Sequence, residues 1–163
     1  MESVADTDWL WLEKSALSVA IRQWTWGYPI VETVHILGLA ILFGSVVMFD
    51  LRLLGFSRHL LVSDMARHLL PWAYLSFAIV ALSGFLMFAV DASVIATNPA
   101  FRLKLILIAA TSVNAAVFHG GIYRSVKLWN RGVKAPATAR ITAIFSLILW
   151  TAVIVCGRLI AYV

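Results

Sequence analysis

Four long apolar runs constrain this 163-residue chain more than any other feature: Tyr28 to Phe49, Leu69 to Val90, Leu103 to Tyr123 and Ile141 to Tyr162. Each is about as long as an α-helix must be to cross a hydrocarbon core of about 30 Å. The composition agrees, at 62% hydrophobic and 13% charged residues, where a soluble domain carries roughly a quarter charged residues. Short linkers make successive helices antiparallel neighbours and leave no room for a separate soluble domain. The expected fold class is therefore all-α: an integral membrane antiparallel four-helix bundle forming one transmembrane domain over residues 1–163, preceded by a short N-terminal amphipathic helix at the interface.

The first charges are Glu2, Asp6 and Asp8, whereas a signal peptide begins with a basic stretch, so the N-terminal segment is expected to be retained. Residues 9–26 carry Trp9, Trp11, Trp24 and Trp26 at their ends, with Leu12, Ala16, Val19 and Ala20 at helical spacing between them. Two readings fit equally. One is an amphipathic helix in the headgroup layer, with Glu13, Lys14 and Arg22 on its polar face; the other is a plain helical lead-in to the first span.

Lysines and arginines are split eight to five between the two ends of such a bundle. Arg52, Arg58, Arg67, Arg124, Lys127, Arg131, Lys134 and Arg140 follow the first and third spans, and Lys14, Arg22, Arg102, Lys104 and Arg158 lie on the other side. Positive charge stays cytoplasmic, so both termini are expected outside, in a bacterial inner membrane. The net charge of +5 is explained by topology and lipid headgroups; no interleaving of aromatic and basic residues points to nucleic acid. Cys156, the single cysteine, excludes a disulfide framework and a CxxC redox pair.

Ionisable groups within the spans are functional candidates, because a charge there is costly unless it is paired or wet. They are Glu32, His35, Lys104, His119 and Arg158, with His68 at the start of the second span. Glu32, His35, Gly38, Leu42 and Ser45 share a helix face, and Ser112, Ala116 and Gly120 form a small-residue series on the third span that is expected to be buried. Glu32 and Arg158 reach the same layer from spans one and four. They are expected to form a direct or water-bridged pair that orients His35 one turn deeper.

The segments "ETVHILGLAILFGSVVMFDLRLLG", "NPAFRLKLILIAATSVNAAVFH" and "SLILWTAVIVCGRLIAYV" resemble a family of small bacterial four-span membrane proteins of unassigned function. More distantly, the pattern resembles HemJ-type protoporphyrinogen oxidases and CopD-type membrane proteins. His35 with Gly38, then Gly44 and Arg52, and the Lys104–Leu105 pair carry the HemJ likeness. The spacing from Gly44 to Arg52 differs, and Leu51 stands where that family has proline. The resemblance implies heme b held by His35 and Lys104.

Imidazole chemistry permits the same cofactor independently, since histidines facing a bundle interior are suitable axial ligands. The cofactor-binding candidates are His35, Lys104, His119 and His68, with His35 on the heme iron and Lys104, or else His119, opposite. The plainer alternative is a His35 hydrogen-bonded to Glu32 or a backbone carbonyl, with His68 a simple interfacial residue. Two classes of function follow. One is a heme-b protein in membrane electron transfer or in oxidation of a porphyrin-like or quinol substrate. The other is a non-enzymatic bundle that carries a small solute or metal ion, or supports a partner protein. Its partners are the lipid bilayer and either a membrane redox protein or a second copy of the chain.

Overall fold

The computed structural model describes residues 9–162; Glu2, Asp6 and Asp8, on which the signal-peptide argument rests, lie outside the described residues. The regular elements among those residues are all helical: α1 (Leu10–Glu13), α2 (Ala16–Gln23), α3 (Gly27–Leu54), α4 (Val62–Val90), α5 (Ala92–Thr97), α6 (Pro99–Gly120), a 3-10 segment (Ile122–Leu128) and α7 (Ala137–Leu159). Helices α3, α4, α6 and α7 correspond to the four apolar runs and are long and apolar enough to cross a membrane.

Two of these helices overrun their apolar stretches. Helix α3 continues past Phe49 to Leu54 and stops where Gly55 takes a left-handed conformation (φ 109°), its N–H meeting the carbonyls of Leu51 and Arg52. Glycine adopts that conformation without the Cβ clash other residues would meet. Helix α4 begins at Val62, a turn and more before its apolar run, with Asp64 and Arg67 paired at 3.0 Å along its first turns. At the opposite end, the Asn98 side chain caps α6 by accepting from the amides of Ala100 (2.9 Å) and Phe101 (3.2 Å), and Pro99 fits the first turn.

Helix α3 is the central element, packed along both α4 and α7, while α6 packs along α7. Gly38 permits the α3–α4 approach: a Cβ there would lie 2.9 Å from Cγ2 of Val80. Helices α4 and α6 make no extended contact with each other, so the bundle is open along that seam. The tightest core lies at the end of the molecule bearing the α3–α4 and α6–α7 loops. There Phe49, Leu53, Val62, Phe118, Trp129 and Ala139 are buried together, with the Phe49 and Phe118 rings edge to face at 5.7 Å.

The N-terminal segment is two short helices, not one. Ser15 breaks it by capping α2, accepting from the Ser18 amide at 3.3 Å. Two groups expected on a headgroup-facing surface instead bind the protein. Glu13 accepts from the Ser93 amide (2.8 Å) and hydroxyl, and Arg22 donates to the Val90 carbonyl. Buried Ser18 adds a bond to the Ala89 carbonyl at 3.0 Å. The segment is thereby fastened to the α4–α5 corner, whose amides and carbonyls at helix ends need outside partners. Trp11, Trp24 and Trp26 remain well exposed.

Candidate functional site

Helix α3 changes character along one face. From Gly38 through Leu42 and Ser45 to Phe49 its buried residues recur every three or four positions, and the same buried side extends to Asp50. Asp50 is 5% exposed. It borders a cavity of about 410 Å³ enclosed by α3, α4, α6 and α7 along the open seam. The Ser146 hydroxyl approaches the carboxylate from α7, but Oδ2 has no hydrogen-bond partner among the described residues.

The rest of the lining combines aromatic walls with hydroxyls, three of which donate to backbone carbonyls. Phe49, Tyr74, Phe77, Phe118 and Trp150 supply rings, and Asn114 and His119 project from α6. Thr111 and Ser112 both donate to the Ile108 carbonyl, at 2.8 and 2.9 Å, and Thr142 donates to Ala139 at 3.0 Å. Each hydroxyl has one proton, so these oxygens have only lone pairs left to offer. Asn114 donates one amide proton to the Thr142 carbonyl at 3.1 Å, leaving its oxygen as an acceptor and its second N–H as a donor. The surface is polar on the Asp50 side and contains one carboxyl group.

His35 and Lys104 do not line this cavity. His35 lies against α4, with Cε1 3.1 Å from the position a Cβ on Gly84 would take. Its Nδ1 is 3.0 Å from Ser83 Oγ. Since Ser83 donates to the Ile79 carbonyl at 2.6 Å, it accepts from His35 Nδ1–H, and the ring also has a backbone hydrogen-bond partner at Val80. Lys104 crosses to α7, where its Nζ lies 3.5 Å from the Cβ position of Gly157, near Cys156. The two side chains are within electrostatic reach of each other. His119 lines the cavity beside Phe118, while His68 is exposed and outside it. His68 and His119 are therefore not brought together at one site.

Two expectations from the sequence are corrected. Glu32 and Arg158 are both exposed and make no direct ion pair; the ion pair found among the described residues joins Arg67 and Asp64. Arg158 donates to the Tyr162 hydroxyl at 2.6 Å, with its guanidinium 5.0 Å from the centroid of that ring. The cause is helical phase: buried Cys156 is two residues earlier, and a two-residue step turns about 200° to the opposite side. His35 is accordingly oriented by Ser83, not by a Glu32–Arg158 cluster. Ser112, Ala116 and Gly120, expected to be buried, are exposed, because α4 does not close against α6.

Three residues important to this geometry were not singled out in the sequence. Asp50 follows the last residue of the first apolar run, and only the helical phase continuing from Ser45 and Phe49 signals it. Gly84 and Gly157 make room for His35 and Lys104, a role visible only once helices are paired.

A family model covers residues 9–163, and its description is family of unknown function (DUF6644). The chain belongs to that family. No curated protein and no solved structure matches it.

Proposed function

We propose that this multi-pass protein of the bacterial inner membrane binds a small solute within the bilayer, as a carrier or as the solute-holding part of a larger assembly. The observation that carries this reading is Asp50: a nearly fully buried carboxylate with one oxygen unpartnered, bordering a cavity of about 410 Å³. A structural carboxylate at such depth is ordinarily paired or hydrogen-bonded, because desolvation of an isolated charge is costly. The cavity is within the size range of small-molecule sites. Its seam between α4 and α6 gives a route by which the helices could part without breaking the α3–α4 or α6–α7 packing.

The basic loops lie at the Asp50 end of the bundle, so the positive-inside rule makes this the cytoplasmic end and puts both termini outside. The decisive experiment is cysteine labelling in a Cys156→Ala background. Ser146→Cys, on the cavity, is expected to react with a small water-soluble methanethiosulfonate, while Val153→Cys, at 4% exposure in packed core, stays unlabelled. Equal protection of both positions would contradict a solute-accessible cavity.

A second reading, heme b at His35, is favoured by one observation. A neutral His35 that donates Nδ1–H to Ser83 has its Nε2 lone pair free for a metal, and a hydrogen bond of this kind from the other ring nitrogen is common for metal-bound imidazoles. The resemblance to HemJ-type proteins supports the same residue, with Lys104 as the opposite candidate. Bound heme would supply one-electron chemistry; Ser83 would orient the imidazole, and Gly84 and Gly157 would admit the two ligand side chains. A Soret band in the purified protein, lost in His35→Ala, is expected on this reading, and a colourless protein after heme loading contradicts it.

A further inference from the structure

We propose that the cavity at Asp50 selects a small monovalent organic cation: a protonated amine on an apolar, ring-sized body. The inference rests on the cavity reading above and names the class of solute. The Asp50 side chain lines the cavity, its Oδ2 is covered and has no hydrogen-bond partner among the described residues, and a cationic ligand would hold the carboxyl in its ionised, acceptor-only form. Around it, Thr111, Ser112 and Thr142 have committed their protons to backbone carbonyls, and Asn114 donates one of its two amide protons to the Thr142 carbonyl. Beside the carboxyl these oxygens favour a ligand that brings donors, and an ammonium group brings three. An anion would find a like charge.

The cations of the chain do not already fill this role. Arg52, two residues along α3, turns to the other side of the helix and bonds to the carbonyls of Leu60, Arg58 and Asn130. Lys104 is near Gly157, outside the cavity. The remaining titratable lining groups are His119 and Tyr74. A divalent metal would need more ligands than are present, since no group of three or more His, Cys, Asp or Glu suited to a metal occurs among the described residues. The walls favour an organic body instead: Phe49, Phe77, Phe118 and Trp150 offer apolar area and ring faces to a cation.

The test uses the full chain in lipid nanodiscs and calorimetric titration with 2-phenylethylammonium and its uncharged counterpart of the same shape, 2-phenylethanol. Wild-type protein is expected to bind the ammonium at least about tenfold more tightly than the alcohol. Asp50→Asn, which preserves shape, is expected to abolish that preference and leave alcohol binding little changed; Asp64→Asn, an exposed acid on α4, is expected to keep it. Ala115→Leu, which adds bulk to the cavity wall without touching Asp50, is expected to weaken both ligands. Equal wild-type affinities, absence of ammonium binding, or a preference surviving in Asp50→Asn overturns the inference. Equal affinities with Ser146→Cys still labelled would leave the solute cavity standing and remove only its cation selectivity; no binding together with an unlabelled Ser146→Cys would remove both.

Discussion

Asp50 and Arg52 are two residues apart on α3, both buried, at 5% and 1% exposure, and they do not pair. The 200° between them sends one toward the cavity and the other toward the loops. Here the guanidinium is satisfied by three carbonyls, Leu60 at 2.8 Å, Asn130 at 3.1 Å and Arg58 at 3.3 Å, and the carboxylate is left for the cavity.

Arg52 is thus a clamp between the α3–α4 loop and the α6–α7 loop. Arg52→Leu is expected to lower stability by about 2–4 kcal/mol, because charge-assisted hydrogen bonds are lost from a buried site. Arg52→Lys should recover only part of that, since an ammonium cannot reproduce the planar fork. Thermal unfolding in detergent measures both; a loss under about 0.5 kcal/mol for Arg52→Leu would show that the loops hold without it.

Two glycines of α3 should respond in opposite directions. At Gly38 a new Cβ meets the stiff Val80 side chain at 2.9 Å, so Gly38→Ala is expected to cost about 1–3 kcal/mol, and Val80→Ala in the same chain should relieve much of it. A Cβ at Gly44 meets nothing within 4 Å. Gly44→Ala should therefore stabilise the helix by up to about 1 kcal/mol. The same unfolding assay reads both, and a destabilising Gly44→Ala together with a harmless Gly38→Ala would mean that α3 presents a different face to α4.

Much of this architecture was legible in the sequence, and its gaps have physical causes. Apolar length identified α3, α4, α6 and α7, because span length is set by the bilayer. It did not reveal their ends. The bilayer does not stop a helix; Gly55 does, six residues after Phe49, and that difference hid Asp50. The shared face of His35, Gly38, Leu42 and Ser45 was readable from periodicity, whereas Ser83 as the partner of His35 depends on how α3 and α4 pair. Depth alone brings Arg158 level with Glu32, whereas its phase relative to Cys156 turns it outward. A small-residue series such as that on α6 is buried only where a neighbouring span packs against it, which depends on how the helices pair.

The N-terminal helices should loosen in acid. The Ser93 hydroxyl and amide hold the Glu13 carboxyl below the usual carboxylate range, opposed by its partial burial and helped by Arg22. A depressed folded-state value means the contact contributes fully above the ordinary carboxylate pKa and is lost as pH falls through the folded value. Hydrogen exchange at the Ser93 amide, corrected for its intrinsic pH dependence, is expected to rise from pH 6 toward pH 3 (about the carboxylate range). In Glu13→Gln that response should flatten. An identical response in both proteins would remove Glu13 as its origin.

The account depends most on Asp50 meeting a solute inside the membrane, and infrared difference spectroscopy reads that carboxyl directly. Subtracting the Asp50→Asn spectrum from that of wild-type protein in hydrated lipid isolates its band. Addition of 2-phenylethylammonium is expected to shift this band in wild-type protein, with no corresponding change in Asp50→Asn. A band that stays fixed at saturating ligand would contradict the account, because it would mean that Asp50 is sealed from the cavity it borders.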